Sequence, residues 1–394
     1  MSWEKKTLDQ LGSISRGKSK HRPRNDPKLF GGQYPFIQTA DVKNANFYIT
    51  EYSDTYNETG LAQSKLWDVG TLCITIAANI ADTGILGIPA CFPDSVMGFI
   101  PYDGVSDVRF VKYCFDMLQR DCKQISQGTA QDNLSWQKLS TIEFPAPPFE
   151  IQHRIADILS AYDDLIENNR KQIKLLEEAA QRLYKEWFVD LRFPNHEHTK
   201  IVDGVPEGWR VTTLDEICSV RKEMLTPEKI DVDTPYIGLE HIPRKDICLS
   251  EWGSSSEISS NKFRYYEDDI LFGKIRPYFH KVGFALNNGV TSTDAIVLKS
   301  TEGLWSFLLM TASSSEFVSY TYQNCKEGAK MPRADWKQMK SYPTIIADRA
   351  IQSAFEDQIY TITRKIKVLA LQINRLSEAR DRLLPKLMSG KVEV

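Results

Sequence analysis

The 394-residue chain carries one pattern twice. PFI at 35–37 returns as PYI at 235–237, and Trp136 returns as Trp336, an offset of 200 residues in both cases. SWEKKTLDQLGSI at the start returns as GWRVTTLDEICSV at 208–220. Repeat units of solenoid proteins are about 20–50 residues long, so a period of this size argues against a solenoid. The sequence predicts two homologous halves, each a globular segment followed by a helix.

Both predicted helices have apolar residues at alternating spacings of three and four, the pattern of a coiled-coil seam. Acidic side chains dominate between 163 and 190 and basic ones between 364 and 386, which favours pairing of the two helices. Asn169 either fixes the register as a buried polar group or is simply exposed. The predicted helix-pairing residues are Ile166, Asn169, Ile173, Leu176, Leu183, Ile366, Leu369, Ile373, Leu376 and Leu383.

The globular segments have the composition of mixed α/β domains. Short β-rich runs such as 71–77 and 269–275 alternate with Gly, Asn and Asp turns, and helices are predicted near 108–120 and 304–323. Pro194 is expected to end the first long helix, and Pro385 to end or kink the second. The fold class is therefore α+β. The predicted boundaries are a first globular domain 1–148, a helix 149–194, a linker 195–204, a second globular domain 205–346, and a helix with C-terminal tail 347–394.

The inventory of reactive groups is sparse. The chain lacks the sequence motifs of serine hydrolases, zinc proteases and EF-hands, and its seven cysteines never form C-x-x-C. His196 and His198 lie in a polar linker without an accompanying cluster of carboxylates or cysteines. We therefore predict no catalytic residue and no metal site. Because MSWEKKTLDQ has no apolar signal core, we expect the protein in the cytoplasm.

Residues 12–19 read GSISRGKS and match G-x-x-x-x-G-K-[ST], the pattern of a loop that binds nucleotide phosphates. Such a loop needs a buried strand before it and a helix after it. The preceding SWEKKTLDQL is too polar for a buried strand, and the following KHRPRNDPKLFGG is too rich in Pro and Gly to begin a helix. We therefore interpret the segment as a basic loop.

Between Arg16 and Lys28 the only acid is Asp26. A basic run beside glycines suits contact with DNA phosphates, and a solvated basic loop is the alternative interpretation. The segments GTAQDN and GAKMPR occupy matching places in the two halves but differ in their amides and cations, which can read adenine and guanine respectively. The predicted DNA-contacting residues are Arg16, Lys18, Lys20, Arg22, Arg24, Gln131, Asn133, Arg221, Lys222, Lys274, Arg276, His280, Lys281, Lys330 and Arg333.

Taken together, these features resemble the specificity subunits of type I restriction–modification systems over nearly the whole chain. The resemblance rests on GTAQDNLSWQKLSTIEFPAPP (128–148), RLYKEWFVDLRFP (182–194), PEGWRVTTLDEI (206–217) and RLLPKLMSGKV (382–392). It implies a non-catalytic protein with two target recognition domains, each reading one half of a split, asymmetric DNA target. The two helices would then pair as an antiparallel coiled coil with pseudo-twofold symmetry and hold the domains apart.

The resemblance also implies partners. Two modification subunits, which carry S-adenosylmethionine and methylate adenine, would dock around the helices, and restriction–translocation subunits, which use ATP and Mg²⁺, would join them. The chain itself would then hold no cofactor. Two alternatives stay open at this point: a non-catalytic scaffold that binds proteins but no DNA, and an enzyme that binds a nucleotide at Gly12–Ser19.

Overall fold

The structure is a computed structural model that describes residues 3–76, 82–125, 139–256, 258–325 and 330–394. The chain divides into two compact units, and each combines one globular segment with parts of both long helices. Unit 1 comprises Met1–Glu167 and Arg375–Val394, whereas unit 2 comprises Asn168–Asn374. This division differs from the linear series of domains drawn from the sequence, because each long helix contributes to both units.

Unit 1 is built around a central sheet that is antiparallel except at its last pair. Its strands lie in the order Gly12–Arg16, Val96–Pro101, Leu72–Thr75, Thr83–Leu86 and Tyr48–Ile49. A second sheet has the strand order Asp54–Tyr56, Phe30–Phe36, Ala90–Cys91 and Leu66–Trp67, and Glu4–Thr7 pairs with Glu143–Ala146. The shorter helices are Leu8–Leu11, Thr39–Asn44, Glu58–Ala62, Val108–Ile125 and the 3-10 turn Pro27–Leu29.

Unit 2 repeats this arrangement. Its central sheet has the strand order Cys218–Arg221, Ala295–Ser300, Ile270–Gly273, Val282–Ala285 and Cys248–Leu249. The second sheet has the order Met224–Leu225, Lys262–Tyr265, Gly289–Thr291, Pro235–Ile237 and Gly253–Ser254; Arg210–Thr213 pairs with Pro343–Ile346, and Ile201–Val202 with Val205–Pro206. The short helices are Leu214–Ile217, Trp305–Ala312, Ser315–Gln323 and Trp336–Met339, with 3-10 turns His196–His198, Pro227–Lys229, Leu239–His241 and Pro277–Phe279.

The repeat in the sequence is thus a repeat of topology. In both central sheets the first four strands are successively antiparallel and the fifth is parallel to the fourth. Successive side chains of a strand point to opposite faces of the sheet, and the middle strand of each central sheet has an apolar core on both faces. Leu72 and Ile74 join one apolar core while Cys73 joins another, and Leu271 is likewise separated from Ile270 in unit 2.

Two long helices follow the globular segments. We call Phe149–Tyr184 the central helix and Arg349–Met388 the distal helix. The central helix continues into one π turn, Lys185–Val189, and stops there because Leu191 adopts a left-handed conformation (φ 56°) while Arg192 N–H donates to the Glu186 carbonyl. Helical structure therefore ends before Pro194, earlier than predicted.

The helices pair with opposite chain directions within each unit. In unit 1, Ile155 and Leu159 of the central helix share a core with Leu384 and Leu387 of the distal helix. In unit 2, Asn169 meets Gln372 at one level, and at another the Trp187 ring lies 5.8 Å from the Phe355 ring. As numbers rise on one helix they fall on the other, so the predicted antiparallel pairing is confirmed.

Two local predictions need correction, and one alternative is decided. At Pro385, where the sequence allowed either an end or a kink, the distal helix does not end but runs on to Met388, since a proline removes one hydrogen bond without ending a helix that is packed on both sides of it. The helix predicted near 304–323 is two helices, because Ser314 caps the second by accepting from Phe317 N–H. The predicted linker 195–204 contains a 3-10 turn and one strand of a short hairpin.

Candidate nucleic-acid interface

The GSISRGKS segment forms the edge strand of the unit 1 sheet followed by a loop. Gly12–Arg16 pairs with Val96–Pro101, and no helix begins between Gly17 and Asp26, where every residue is described. Gly17 N–H donates to the Val96 carbonyl at 2.8 Å, and a Cβ on Gly17 would lie 2.3 Å from the Pro93 carbonyl oxygen. The second glycine of the motif is therefore required by close packing of two backbones, which supports the interpretation as a basic loop.

The basic residues of this N-terminal loop (residues 16–28) differ in how far they are neutralised. Arg24 forms an ion pair with Asp94 at 2.6 Å, and Arg22 lies 3.8 Å from the same carboxylate. A hydrogen bond from His21, followed by contacts with Lys28, lowers the pKa of Asp26. Within the described residues, Arg16, Lys18 and Lys20 have no ion-pair partner, and all three are exposed. These three side chains are the free cations of the loop.

In unit 2 the structure brings two predicted segments together. Arg276 N–H donates to the Pro332 carbonyl, Ala334 N–H donates to the Lys274 carbonyl, both at 2.8 Å, and Ile275 bridges Arg333. Segments 274–281 and 330–334 therefore lie side by side although 48 residues separate them in the sequence. We call this group the unit 2 cluster; its predicted members are Lys274, Arg276, His280, Lys281, Lys330 and Arg333.

Most cations of the unit 2 cluster already have internal partners. Lys274 Nζ donates to the Thr293 carbonyl at 2.6 Å, Lys281 donates to the Leu239 carbonyl, and Arg333 pairs with Asp294 at 3.1 Å. Burial lowers the pKa of Lys274, and burial together with nearby Arg244 lowers that of Lys281. Lys330 is exposed.

Arg221 and Lys222 differ from each other. Arg221 donates from Nε to Asp269 Oδ2 at 2.8 Å and lies over the Tyr266 ring at 4.5 Å. The hydrogen bond to Asp269, against the effect of burial, raises the pKa of Arg221. Its guanidinium therefore stabilises the unit 2 sheet, and Lys222 is the exposed member of the pair. Gln131 and Asn133 lie outside the described residues.

Sequence reasoning missed residues that complete these surfaces. The Arg244 guanidinium lies 4.0 Å from the centre of the Phe279 ring. Tyr278 and Tyr322, 47% and 46% exposed, pack edge to face at 5.2 Å beside the unit 2 cluster. Exposed aromatic rings beside cations are a common feature of nucleic-acid-binding surfaces. The GKIRPYFHK segment, in which aromatic and basic residues are mixed, was the one available sequence signal.

The predicted helix-pairing residues are all buried or partly buried. Ile166, Asn169, Ile366 and Leu369 are buried, while Ile173, Leu176 and Leu183 are partly buried against the unit 2 core. Ile373, Leu376 and Leu383 are partly buried as well. Asn169 is 7% exposed and donates to Gln372 Oε1 at 3.4 Å, so the alternative of an exposed Asn169 is wrong.

Within the described part of the chain, no group of three or more His, Cys, Asp or Glu side chains could hold a metal ion. Of the helices the structure describes, none is both long and apolar enough to cross a membrane.

Comparison with known proteins places the fold. Residues 1–178 match the family model of the type I restriction modification DNA specificity domain. The chain is 26% identical to the type I restriction enzyme MjaIX specificity subunit of Methanocaldococcus jannaschii, over 100% of this chain and 94% of that protein. It is 23% identical to the HindI specificity subunit of Haemophilus influenzae, over 97% of this chain and 98% of that protein.

A solved structure matches as well. The crystal structure of the type I restriction–modification S subunit from M. genitalium aligns with a TM-score of 0.60 and 16% identity, covering 98% of this chain and 96% of that one. At this identity the match supports the fold. Over nearly its full length the chain is similar to type I restriction–modification specificity subunits, and its first 178 residues match the DNA specificity domain of that family.

Proposed function

We propose that this chain is the DNA-binding specificity subunit of a type I restriction–modification complex, recognising a bipartite, asymmetric DNA target. The observation that carries the proposal is the duplication: both central sheets have the same strand order, yet the corresponding carboxylates Asp94 and Asp294 pair with cations from different parts of the two units, Arg24 and Arg333. A duplicated domain that served only as a scaffold would not need different polar surfaces in its two copies. Two domains that recognise different DNA half-sites would need them.

The two surfaces suit different kinds of DNA contact. Arg16, Lys18 and Lys20 of unit 1 are exposed and lie in a loop, which suits phosphate contacts that add affinity without reading bases. The unit 2 cluster is partly buried and supported by aromatic rings, which holds donors in fixed directions, as base reading requires.

Partner subunits would dock on the long helices. Both helices expose large apolar side chains: Ile158 and Leu165 in unit 1, and Leu175, Tyr360 and Val368 in unit 2. Leu175 is 65% exposed although it lies in the middle of the central helix. Exposed apolar side chains along a helix are typical of a surface that another protein covers. We infer that the chain positions two modification subunits there, and restriction–translocation subunits with them.

The chain would have no catalytic role. We propose that S-adenosylmethionine, ATP and Mg²⁺ are bound by the partner subunits and that this chain supplies recognition. The support comes from Gly17, the second glycine of the GSISRGKS motif. Gly17 packs against the backbone of Pro93 and Val96, whereas the glycines of a nucleotide-binding loop make room for phosphate groups. Labelled ATP added to the purified chain should not bind at equilibrium; saturable binding lost in Lys18→Ala would contradict the proposal.

The decisive experiment maps methylated adenines in DNA from cells that express the full chain with its modification subunit. We expect one split motif, methylated on both strands. Replacing residues 1–148 with those of a relative should change one half of the motif, and replacing 205–346 should change the other. Methylation without a shared motif would contradict the proposal.

A binding measurement separates DNA recognition from the protein-scaffold alternative. Affinity for duplex DNA should fall with salt by about 0.9 log units per log unit for each neutralised phosphate. Lys18→Ala and Lys20→Ala should each lower that slope by about 0.9 without altering the motif. Lys43→Ala, which removes an exposed lysine outside the N-terminal loop, is the matched control. A pure scaffold would bind the modification subunit but no duplex.

A further inference from the structure

The Pro277–Phe279 turn of the unit 2 cluster lies between two strained residues. Arg276 and His280 both have left-handed backbone conformations, with φ of 51° and 54°. This region is costly for any residue with a Cβ and is natural for glycine. Non-glycine residues that persist in such conformations concentrate at functional sites. Backbone hydrogen bonds hold both residues in place, and a side-chain interaction at either one offsets further strain.

The two side chains differ in their contacts with the described residues of unit 2. His280 Nε2 lies 2.7 Å from the Ser313 carbonyl oxygen, so its ring ties the turn to the neighbouring helix. Arg276 Nε is buried, and among the described residues it has no hydrogen-bond partner. The guanidinium of Arg276 lies 5.7 Å from the centre of the Phe279 ring, near the outer limit of a cation–π contact. Among the described residues its Nε is left without an acceptor, which favours donation from this side chain to a bound ligand.

The surroundings of Arg276 favour an electron-rich partner. Arg244 lies over the same Phe279 ring at 4.0 Å, so two guanidiniums share one ring. Asp294, one of the carboxylates near the unit 2 cluster, already pairs with Arg333 at 3.1 Å. An acceptor placed beside two cations is favoured by both of them.

We propose that Arg276 reads a guanine in the half-site bound by unit 2, donating from its guanidinium to O6 and N7 in the major groove. The planar guanidinium fork fits these two acceptors, and arginine to guanine is the commonest specific contact of this kind. The fixed backbone and the partial burial of Arg276 distinguish it from exposed Lys222 and Lys330, whose flexible ammonium groups suit phosphates. This inference rests on the proposed function.

The first test is motif mapping with full-length variants expressed with the modification subunit. Arg276→Lys keeps the charge and loses the bidentate geometry, so one G·C position of one half-motif should become degenerate while all others persist. Arg210→Lys is the control, since Arg210 is an exposed arginine of unit 2 paired with Glu216. An unchanged motif in Arg276→Lys, or a uniform loss of methylation at all sites, would overturn the inference.

The second test uses the purified complex and chemically altered duplexes. Replacing the predicted guanine with 7-deazaguanine removes N7 and leaves base pairing intact. We expect the substitution to weaken wild-type binding by about 5- to 150-fold and to have no further effect on Arg276→Gly. Glycine adopts the left-handed conformation freely, so Arg276→Gly should fold as the wild type does.

The outcomes distinguish a failure of the guanine contact from a failure of the proposed function. If wild-type DNA shows a split motif but 7-deazaguanine has no effect at any guanine of either half, Arg276 is not a guanine reader and the proposed function stands. If wild-type cells yield no split motif, the proposed function itself fails. Equal sensitivity of wild type and Arg276→Gly at the same guanine also overturns the inference.

Discussion

The two units share a strand order but stabilise their helix pairs by different chemistry. In unit 1, Asp163 of the central helix is 2% exposed, pairs with Arg380 of the distal helix and accepts a 2.5 Å hydrogen bond from Tyr113. In unit 2, the helices meet through an apolar seam and the Asn169–Gln372 amide pair. The fold therefore requires the apolar pattern, whereas the polar chemistry at the helix pair is free to differ.

The carboxylates of the central helix show the same contrast. Asp163 is balanced by a cation, but Glu177 in unit 2 accepts hydrogen bonds from the backbone N–H groups of Ile247 and Cys248, at 2.9 and 3.2 Å. Glu177 thereby ties the helix to a strand of the unit 2 sheet. The duplicated fold thus uses an ion pair in one copy and backbone dipoles in the other.

Removing the cation of the unit 1 pair should have the largest effect on stability. Arg380→Met leaves Asp163 buried without its partner, which we expect to cost about 3–5 kcal/mol. The matched change in unit 2 is Lys367→Met, whose partner Glu267 is 48% exposed and can be hydrated, so the cost should stay below about 1 kcal/mol. Urea unfolding, with hydrogen exchange to show which unit loosens, measures both.

A double variant sharpens this comparison. Asp163→Asn with Arg380→Met removes both charges and should recover a large part of the loss, because the cost comes from an unpaired buried charge. Equal losses in Arg380→Met and Lys367→Met would show that the two units are stabilised alike.

The second prediction concerns corresponding positions of the two edge strands. Gly12 and Cys218 each begin the first strand of a central sheet. A Cβ on Gly12 would lie 2.3 Å from the Ile100 carbonyl oxygen, whereas Cys218 fits its site and donates to the Leu214 carbonyl. Gly12→Cys should therefore destabilise the protein by about 1–3 kcal/mol through overpacking. Cys218→Ala, which keeps a Cβ, should cost less in the same thermal unfolding measurement.

The sequence was sufficient to predict the features that depend on short-range residue spacing. The seam spacing predicted the helix pair, including buried Ile166 and Ile366, because a helix brings residues three and four apart onto one face. The order of the sheet strands was beyond reach, since it depends on contacts between distant segments that a single sequence does not mark.

The charges of the candidate site were predictable only in part. Counting acids between 16 and 28 found Asp26 but missed Asp94, which the fold brings to Arg24. Asp269 likewise engages Arg221 from 48 residues away. A count of charges along a short segment therefore overestimates the number of unpaired cations, because it misses the acidic partners that the fold brings from distant segments.

The third prediction uses pH to test the carboxylate in unit 2. Burial, with the nearby charge of Asp246, raises the pKa of Glu177 to about 8. Folded protein then holds a proton that unfolded protein releases near its ordinary pKa of 4.5, so this contribution to stability is greatest below pH 4.5 and is lost progressively as pH rises from there to about 8. Between pH 7 and 8 this contributes a loss of about 1 kcal/mol.

Glu177→Gln keeps an oxygen that accepts from both N–H groups but cannot ionise. It should lack the loss between pH 7 and 8 while matching wild-type stability at pH 5, measured as urea midpoints across pH. Asp157→Asn, which alters an exposed acid on the same helix, is the control. A pH profile unchanged by Glu177→Gln would show that Glu177 is ionised in the folded protein.

The smallest effect is expected at the amide pair of unit 2. At 3.4 Å, the Asn169–Gln372 hydrogen bond is long, and replacing both groups with apolar side chains of similar size should be nearly neutral, within about 1 kcal/mol. Asn169→Leu alone leaves Gln372 free to reach water, because Gln372 is exposed. Its unfolding midpoint should therefore shift little, in contrast to Arg380→Met in unit 1.

A buried amide that adds so little stability fits a role in fixing the register of the two helices, since an apolar seam alone tolerates sliding by a turn. If Asn169→Leu costs as much as Arg380→Met, the amide pair is structural in the same sense as the ion pair, and the contrast between the units disappears.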